Sequence, residues 1–253
     1  MRKSTDNVWL AGVDGCPRGW IAAFVRPSGE VGRVKVFKHF IEILEQIEHP
    51  SLVVVDIPIG LPKYSPPKGR LAEGEIRPLI GARRSSVFRV PSRSAVYVGE
   101  DATSIPNDAK RYKKARGIAR KTSIDRKAFS KQGFYLFPKI VEVDKLLRAN
   151  RQFVRRVYET HPEVAFWRLN DERELKHNKK SAAGIKLRKK ILIEADVTLE
   201  GVKSQPPPGA KVDDLLDALA CAVIAIRIRS KKAKPFPNPP PCDAYGLRMA
   251  IWA

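Results

Sequence analysis

The chain has 253 residues, with 48 Lys and Arg against 27 Asp and Glu, a formal charge of +21 and a hydrophobic content of 43%. A chain of this length buries roughly three quarters of the surface that its unfolded state exposes, so neither disulfides nor structural zinc are needed for a stable core. The three cysteines are far apart and form no CxxC pair, which favours a reduced, cytoplasmic setting over a disulfide scaffold.

Two membrane-related interpretations are also excluded at this level. The short apolar run after residues 1–4 is too short for a signal peptide. The longest apolar stretch, residues 215–226, is too short for a bilayer and contains Asp217. We therefore expect a cytoplasmic protein that does not bind membranes.

The excess of positive charge favours a polyanionic partner, and nucleic acid is the expected one. A basic surface that serves solubility or thermal stability is the alternative. The sequence leaves the oligomeric state open.

The first sixty residues have the pattern of a small sheet with one helix. Apolar runs predict strands, an apolar spacing of three and four predicts a helix, and turn residues separate them. The predicted order is three strands, a helix and a fourth strand, at residues 8–14, 20–25, 31–37, 39–47 and 52–55.

Residues 58–106 show no sustained periodicity and are rich in Pro, Gly, Ser and Arg. A loop this long is usually a lid, a binding loop or a disordered insertion. Asn107 is a plausible N-cap for a basic helix at 108–121, and a further helix is predicted within 138–149. We therefore interpret residues 1–253 as a single domain with a basic insertion at 58–150. Eight cations in it have few acids nearby, and we expect them to contact phosphates: Arg83, Arg84, Arg89, Arg93, Lys110, Arg111, Lys113 and Lys114.

The last hundred residues alternate between predicted helices and extended segments. They comprise a strand at 153–159, a helix at 162–167, a charged loop at 171–180, a helix at 185–195, an apolar helix at 214–228 capped by Asp213, an extended tail at 234–241 and an edge strand within 245–252.

Four aspartates are placed where they can converge. Asp14 and Asp56 each follow an apolar strand, and ligands gather at the carboxyl ends of strands in open α/β sheets. Both are also ordinary turn residues. Asp214 and Asp217 share one helical face. The helix dipole explains an acid in the first turn of a helix, but it does not explain Asp217, which lies one turn inside an apolar helix. A carboxylate there is costly unless a cation or a partner receives it.

These residues lie in motifs that resemble a known family of predicted nucleases with a ribonuclease H-like fold. The motifs are Gly12-Val13-Asp14-Gly15-Cys16-Pro17, Val55-Asp56-Ile57-Pro58, Glu159-Thr160-His161-Pro162-Glu163 and Asp213-Asp214-Leu215-Leu216-Asp217-Ala218. The last motif also resembles the final helix of RuvC-type Holliday-junction resolvases. The resemblance covers roughly residues 8 to 230.

The resemblance implies an α/β, ribonuclease H-like fold: a mixed central sheet of a three-strand meander, a helix and parallel strands, flanked by helices and carrying a long Arg- and Pro-rich insertion. It implies that Asp14, Asp56, Asp214 and Asp217 are catalytic and hold two Mg²⁺ or Mn²⁺ ions, which suits hydrolysis of phosphodiester bonds in DNA or RNA. Glu159 is a candidate fourth acid or ligand and His161 a candidate proton carrier. A helix N-cap or a packing role is an equal alternative for both.

Other chemistries find little support. There is no Gly-rich phosphate loop and no GxSxG motif, and the four histidines are scattered. Two alternatives to a nuclease stay open: a nucleic-acid-binding module on a nuclease-like scaffold that does not cut, and a hydrolase of small phosphorylated metabolites.

Overall fold

The computed structural model describes residues 7–199, 202 and 205–253. Residues 1–6, which include the segment considered above for a signal peptide, lie outside this part of the chain. The described residues form two compact units. The first consists of the described residues within 7–57, 152–234 and 252–253, and the second of residues 58–151 and 235–251.

The first unit contains a five-stranded mixed sheet. Its strands are β1 (Leu10–Cys16), β2 (Gly19–Val25), β3 (Val31–Phe37), β4 (Leu52–Val55) and β5 (Val157–Glu159), in the spatial order β3-β2-β1-β4-β5. β1, β2 and β3 form an antiparallel meander, whereas β4 pairs parallel with both β1 and β5. This confirms the predicted mixed α/β sheet. The predicted strand at 153–159 is wrong in its first half, where a short helix, α7 (Arg151–Val154), precedes β5.

Helices flank this sheet. α8 (Pro162–Leu169), α9 (Ala182–Glu194) and α10 (Val212–Arg229) share an apolar core with one face of the strands. α10 lies against β1 at Gly12, where a Cβ would stand 2.0 Å from the backbone nitrogen of Ala222. Only glycine permits this close approach of helix and strand. On the other face α1 (Ile41–Leu44) is shorter than the predicted helix at 39–47, and Phe40 beside it meets the ring of Trp20 edge-on.

The second unit is mainly helical. Its helices are α2 (Leu71–Leu79), a 3₁₀ segment (Gly81–Ser85), α3 (Arg93–Glu100), α4 (Asp108–Lys121), α5 (Lys131–Phe134) and α6 (Phe137–Ala149). The interpretation of 58–106 as a loop is therefore wrong for much of that range. The helices predicted at 108–121 and within 138–149 are confirmed, and Asn107 accepts the N-capping hydrogen bond from the Lys110 amide at 3.0 Å.

Buried ion pairs stabilise the second unit where its apolar pattern is weak. Arg70 and Glu73 are almost fully buried and bond at 2.7 Å, and Arg70 also donates to the carbonyl oxygen of Ile59. Arg93 donates to both Asp144 and Asp243, at 2.6 Å and 2.7 Å. Burial and the hydrogen bond to Asp144 raise the pKa of Tyr97 to about 12, so this hydroxyl remains a donor.

Two smaller predictions near the C-terminus need correction. α10 begins at Val212 with Lys211 as its N-cap, so Asp213 lies in the first turn and is not the cap. The predicted strand within 245–252 is limited to β7 (Ile251–Trp252), which pairs with β6 (Pro235–Phe236). No helix in the described part of the chain is long and apolar enough to cross a membrane.

Candidate functional site

Asp14 and Asp56 lie next to one another at the carboxyl ends of two neighbouring parallel strands. Val13 pairs with Val55 in the register of β1 and β4, and the Asp56 amide donates to the Val13 carbonyl oxygen at 3.0 Å. Residues two apart in a strand point to the same face, so Asp14 shares the face of Gly12, which is the face that contacts α10. The strand ends therefore present both carboxylates toward α10.

α10 supplies the remaining acids of this site. Asp213 and Asp217 are four residues apart and so lie on one helical face. Asp217 is 3% exposed, although the rest of the helix around it is apolar. Asp214 accepts a hydrogen bond from the Lys211 amide at 2.9 Å and thereby also satisfies the start of the helix. We call Asp14, Asp56, Asp213, Asp214 and Asp217 the carboxylate cluster.

Lys179 is the cation that the structure places in the carboxylate cluster. Its Nζ lies 2.7 Å from Asp217 Oδ2 and 3.7 Å from Asp213 Oδ2. The sequence places it in a charged loop beside several other cations, which gives no local signal of this role. Ion pairing with Asp217 raises the pKa of Lys179 above its usual range against the opposing effect of burial. The ammonium therefore remains charged in the cluster.

The buried carboxylates hold their protons more tightly than ordinary aspartates. Burial raises the pKa of Asp14 well above its usual value, and the charges of Asp56 and Asp217 raise it further. Burial raises the pKa of Asp56 to about 7 and that of Asp217 to about 6, with Lys179 acting against both shifts. Lys179 thus compensates the cluster only in part.

Cys221 lies one helical turn beyond Asp217 and is fully buried. Burial and the charges of Asp56 and Asp14 raise the pKa of its thiol well above the usual value. Since the thiolate is the reactive form, the site is unsuited to cysteine nucleophilic catalysis.

A buried ion pair borders the cluster and was not anticipated from the sequence. Arg188 of α9 donates to both carboxylate oxygens of Glu163 in α8, at 2.8 Å and 2.9 Å. Glu163 is close enough for its charge to raise the pKa of both Asp56 and Asp217. In the sequence Glu163 ends the motif at 159–163 and follows Pro162 in a first helical turn, where the helix dipole already explains an acid.

The structure does not bring Glu159 and His161 into the cluster in the predicted way. Glu159 is in register with Val55, one residue before Asp56, so its side chain belongs to the opposite face of the sheet. His161 is the N-cap of α8, and its Nδ1 accepts a hydrogen bond from the Glu163 amide at 3.2 Å. This is the N-cap alternative considered for His161; its role as a proton carrier stays a prediction.

Three of the eight cations predicted to contact phosphates are instead paired within the second unit. Arg89 binds Asp125 through two nitrogens, Arg93 binds Asp144 and Asp243, and Arg111 binds Asp108 together with backbone carbonyl oxygens. The premise that few acids lie nearby is wrong for these three, because the fold brings acids to Arg89 and Arg93, and Asp108 lies only three residues before Arg111. Arg83 is half-buried, whereas Arg84, Lys110, Lys113 and Lys114 are exposed.

The cluster suits a hard divalent cation in its donor chemistry but not, as it stands, in its arrangement. Carboxylate oxygens are the ligands that Mg²⁺ and Mn²⁺ prefer. Among the described residues, however, no three His, Cys, Asp or Glu side chains are arranged as a metal site. Lys179 is already bonded to Asp217, so a metal ion bound by Asp217 would lie close to the ammonium of Lys179.

The raised pKa values predict a loss of stability with rising pH. An acid whose pKa is higher in the folded than in the unfolded state favours folding while protonated, and this contribution declines as the pH rises from the unfolded value toward the folded one. For Asp56 and Asp217 that window runs from about pH 4 to about pH 6–7.

In chelator, Tm should therefore fall more between pH 4.5 and 8 in the parent protein than in Asp56→Asn. The exposed Asp171→Asn is the control, and an Asp56→Asn profile parallel to the parent would contradict the assignment.

Comparison with known proteins gives one match. Neither the curated proteins nor the solved structures contain a match to this chain. A family model described as "Protein of unknown function (DUF429)" matches residues 12–241, a range that contains the whole carboxylate cluster and Lys179. The chain therefore belongs to the DUF429 family of proteins of unknown function.

Proposed function

We propose that the protein is a Mg²⁺- or Mn²⁺-dependent nuclease that hydrolyses phosphodiester bonds of DNA or RNA, and that its mixed sheet and α10 form a ribonuclease H-like fold. The observation that carries the proposal is the convergence of Asp14, Asp56 and Asp217 from two strand ends and one helix, with Lys179 as the one lysine paired with them among the described residues. Buried carboxylates such as Asp14 and Asp217 are costly in a protein that makes no use of them.

Two of the four predicted metal ligands lie at strand ends and two lie on α10. Asp14 and Asp56, at the rigid ends of β1 and β4, would hold a metal ion from the sheet side. Asp217 and Asp214 would approach it from α10, whose close contact with Gly12 fixes the distance between helix and sheet. A bound divalent ion would lower the pKa of water and stabilise the leaving oxygen. Protonated carboxylates cannot serve as ligands, so binding should strengthen above pH 7.

Positive surface in the second unit supports a nucleic-acid substrate. A cleft of about 880 Å³ is lined by Lys68, Arg77 and Arg84 together with the backbone around Gly81. α4 carries three exposed lysines on its first two turns: Lys110, Lys113 and Lys114. Such surfaces attract phosphates without reading sequence.

These cations give a quantitative prediction for binding. Each phosphate contact contributes about 0.9 to the slope of log affinity against log salt. Replacing Arg84, Lys110, Lys113 and Lys114 by Ala should make the slope for duplex DNA shallower by about 3 to 4, measured by fluorescence anisotropy. The control replaces four exposed lysines near α9 (Lys180, Lys186, Lys189 and Lys190). Equal changes in both variants would assign the effect to net charge alone.

One observation favours a second candidate function, a nucleic-acid-binding module that does not cut. Lys179 already bonds to Asp217, and the described carboxylates are not arranged as a metal site. In such a module the aspartates and Lys179 would form a structural ion-pair network.

Cleavage assays separate the two candidates. The parent protein, checked for folding by circular dichroism, is incubated with single-stranded, duplex and branched DNA and with RNA, each with Mg²⁺, Mn²⁺ or chelator. The nuclease proposal expects metal-dependent cutting of at least one substrate. It is falsified if the folded protein cuts none of them at any metal concentration, whereas retained binding would then support the module.

A further inference from the structure

We infer that the cleft of the second unit is a nucleotide-binding site, in which Arg77 binds a phosphate beside the open backbone of α2 at Gly74. The inference rests on the proposed function, because it names a place where a phosphate of the nucleic acid would bind. Arg77 is not among the eight cations that the sequence predicts to contact phosphates.

Backbone hydrogen bonds hold Arg77 in place on the wall of the cleft. Its Nε donates to the Val87 carbonyl oxygen at 2.8 Å, and its Nη1 donates to the Lys68 carbonyl oxygen at 3.0 Å. Its Nη2 has no hydrogen-bond partner among the described residues. A guanidinium that is fixed in this way loses little side-chain freedom when it binds a ligand, and its remaining N–H groups suit phosphate oxygens.

Arg77 also lacks a carboxylate of its own. It forms no ion pair with any residue that the structure describes. Glu73 is the acid whose charge acts on it, but both oxygens of Glu73 are already bonded by Arg70. Burial lowers the pKa of Arg77 although the charge of Glu73 opposes this shift. The protein therefore holds a partly desolvated cation that an anionic ligand would compensate.

The other residues of the cleft suit the same ligand. Lys68 and Arg84 add two cations and Ser85 adds a hydroxyl, whereas none of the described residues that line the cleft is an acid. This excess of positive charge favours a phosphate-bearing ligand. The cleft of about 880 Å³ is far larger than a phosphate ion, and its wall at Pro78 and Ala82 can pack against a sugar or a base.

Gly74 leaves the wall of the cleft open beside Arg77. It lies inside α2, three residues before Arg77 and therefore on the same helical face. Glycine inside a helix costs about 1 kcal/mol relative to alanine. Packing does not require it here, because a Cβ at this position would meet no atom of another segment within 4 Å. A ligand that approaches the helix backbone closely would explain a glycine at this point.

Binding of two short probes tests the site. A fluorescein-labelled trinucleotide, whose phosphates are all diesters, is measured by fluorescence anisotropy, and thymidine 5′-monophosphate by calorimetry, both at moderate salt in chelator. Arg77→Met should weaken binding by about tenfold or more, because it removes charge-assisted hydrogen bonds. Gly74→Leu should weaken binding by a similar factor without any change of charge, because the new side chain fills the space beside Arg77.

Two variants of the same unit are matched controls. Gly117→Leu makes the same change inside α4, at a glycine where a Cβ likewise meets no atom within 4 Å. Arg126→Met removes the same charge as Arg77→Met, but from an exposed position. Both controls should bind the probes within about twofold of the parent, since salt screens a distant exposed charge.

Every outcome decides for or against the cleft. Loss of binding in both Arg77→Met and Gly74→Leu, with intact controls, supports the inference, and the probe that is affected identifies the ligand as a phosphodiester or a phosphomonoester. A parent that binds neither probe overturns it, as does parent-like binding by either cleft variant or an equal loss in Gly117→Leu. If Arg77→Met does not fold, Gly74→Leu decides alone, because leucine is the better helix former. No cleavage is measured, so a protein that binds here but cuts nothing loses only the nuclease proposal.

Discussion

Asp217→Asn should abolish cleavage while leaving nucleic-acid binding within about threefold of the parent. Removal of a metal-binding carboxylate from such a site costs on the order of a thousandfold or more in rate, because the change acts on the transition state and not on substrate affinity. Asparagine keeps the shape of the side chain and one oxygen but cannot provide the negative charge that a divalent ion requires.

The fold should tolerate this change. Burial raises the pKa of Asp217 to about 6, so near neutral pH the folded protein carries the ionised form at a cost that the unfolded chain does not have and that asparagine removes. Lys179 loses its closest partner but keeps Asp213 at 3.7 Å, and more than a third of its side chain is exposed. We therefore expect a Tm equal to or above that of the parent in chelator, measured by calorimetry.

Asp213→Asn is the matched control for this experiment. It lies one turn earlier on the same face of α10 and touches the same lysine, but it is not a predicted metal ligand. We expect it to retain cleavage within about tenfold, since it acts on the site only through Lys179. An equal loss of cleavage in both variants would show that the two aspartates act through Lys179. Undiminished cutting by Asp217→Asn would remove Asp217 from the metal site.

The sheet and its final helix could be predicted because their residues carry strong local patterns. β1 and β4 are short apolar runs followed by turn residues, and α10 is apolar over four turns. Asp14 and Asp56 could be paired in advance because both end buried strands, and the sheet order then places these ends side by side. Asp217 could be identified because burying a carboxylate in an apolar helix costs free energy unless a cation or a partner binds it.

Nothing local marks Lys179, and Glu163 was not assigned a role although it ends the motif at 159–163. Lys179 sits in a loop rich in charged residues, and only the fold brings it to within 2.7 Å of Asp217, 38 residues later in the chain. Glu163 has its partner, Arg188, 25 residues away. Ion pairs between residues far apart in the chain form only in the tertiary structure, so the spacing of residues in the sequence does not predict them.

The helices of residues 58–106 were missed for the same reason. α2 contains Pro78 and Gly74, both unfavourable in a helix. Its start is held instead by Glu73, which accepts from the Arg70 amide at 2.6 Å and from the Arg70 guanidinium. Arg70 also donates to the Ile59 carbonyl oxygen and Arg77 to the Val87 carbonyl oxygen, and these tertiary hydrogen bonds override the weak helix propensity. Arg89 and Arg93, two of the arginines that suggested a nucleic-acid-binding loop, likewise bind acids within the second unit.

Arg93→Met should therefore act on stability and not on nucleic-acid binding. Arg93 bridges Asp144, which is 3% exposed, and Asp243, which is fully buried, and it lies 4.5 Å from the ring centre of Tyr245. Removing one partner of a buried ion pair typically costs about 3–5 kcal/mol. Asp144 would keep Tyr97 and Arg148 as partners. Asp243 would keep backbone amides but no cation among the described residues, and we expect most of the cost there. For a chain of this size, Tm should fall by roughly 10 °C.

The matched control is Arg84→Met, which removes the same charge from an exposed position of the same unit. We expect this control to leave Tm within about 2 °C and to make the salt slope shallower by about 0.9. Arg93→Met should show the reverse pattern, a large loss of Tm and an unchanged slope in the protein that remains folded. Asp144→Asn together with Arg93→Met should recover part of the loss, because the double variant also removes a buried carboxylate that has lost its closest cation. A shallower salt slope of binding with an unchanged Tm would instead show that Arg93 contacts phosphates, as its neighbours in the sequence suggested.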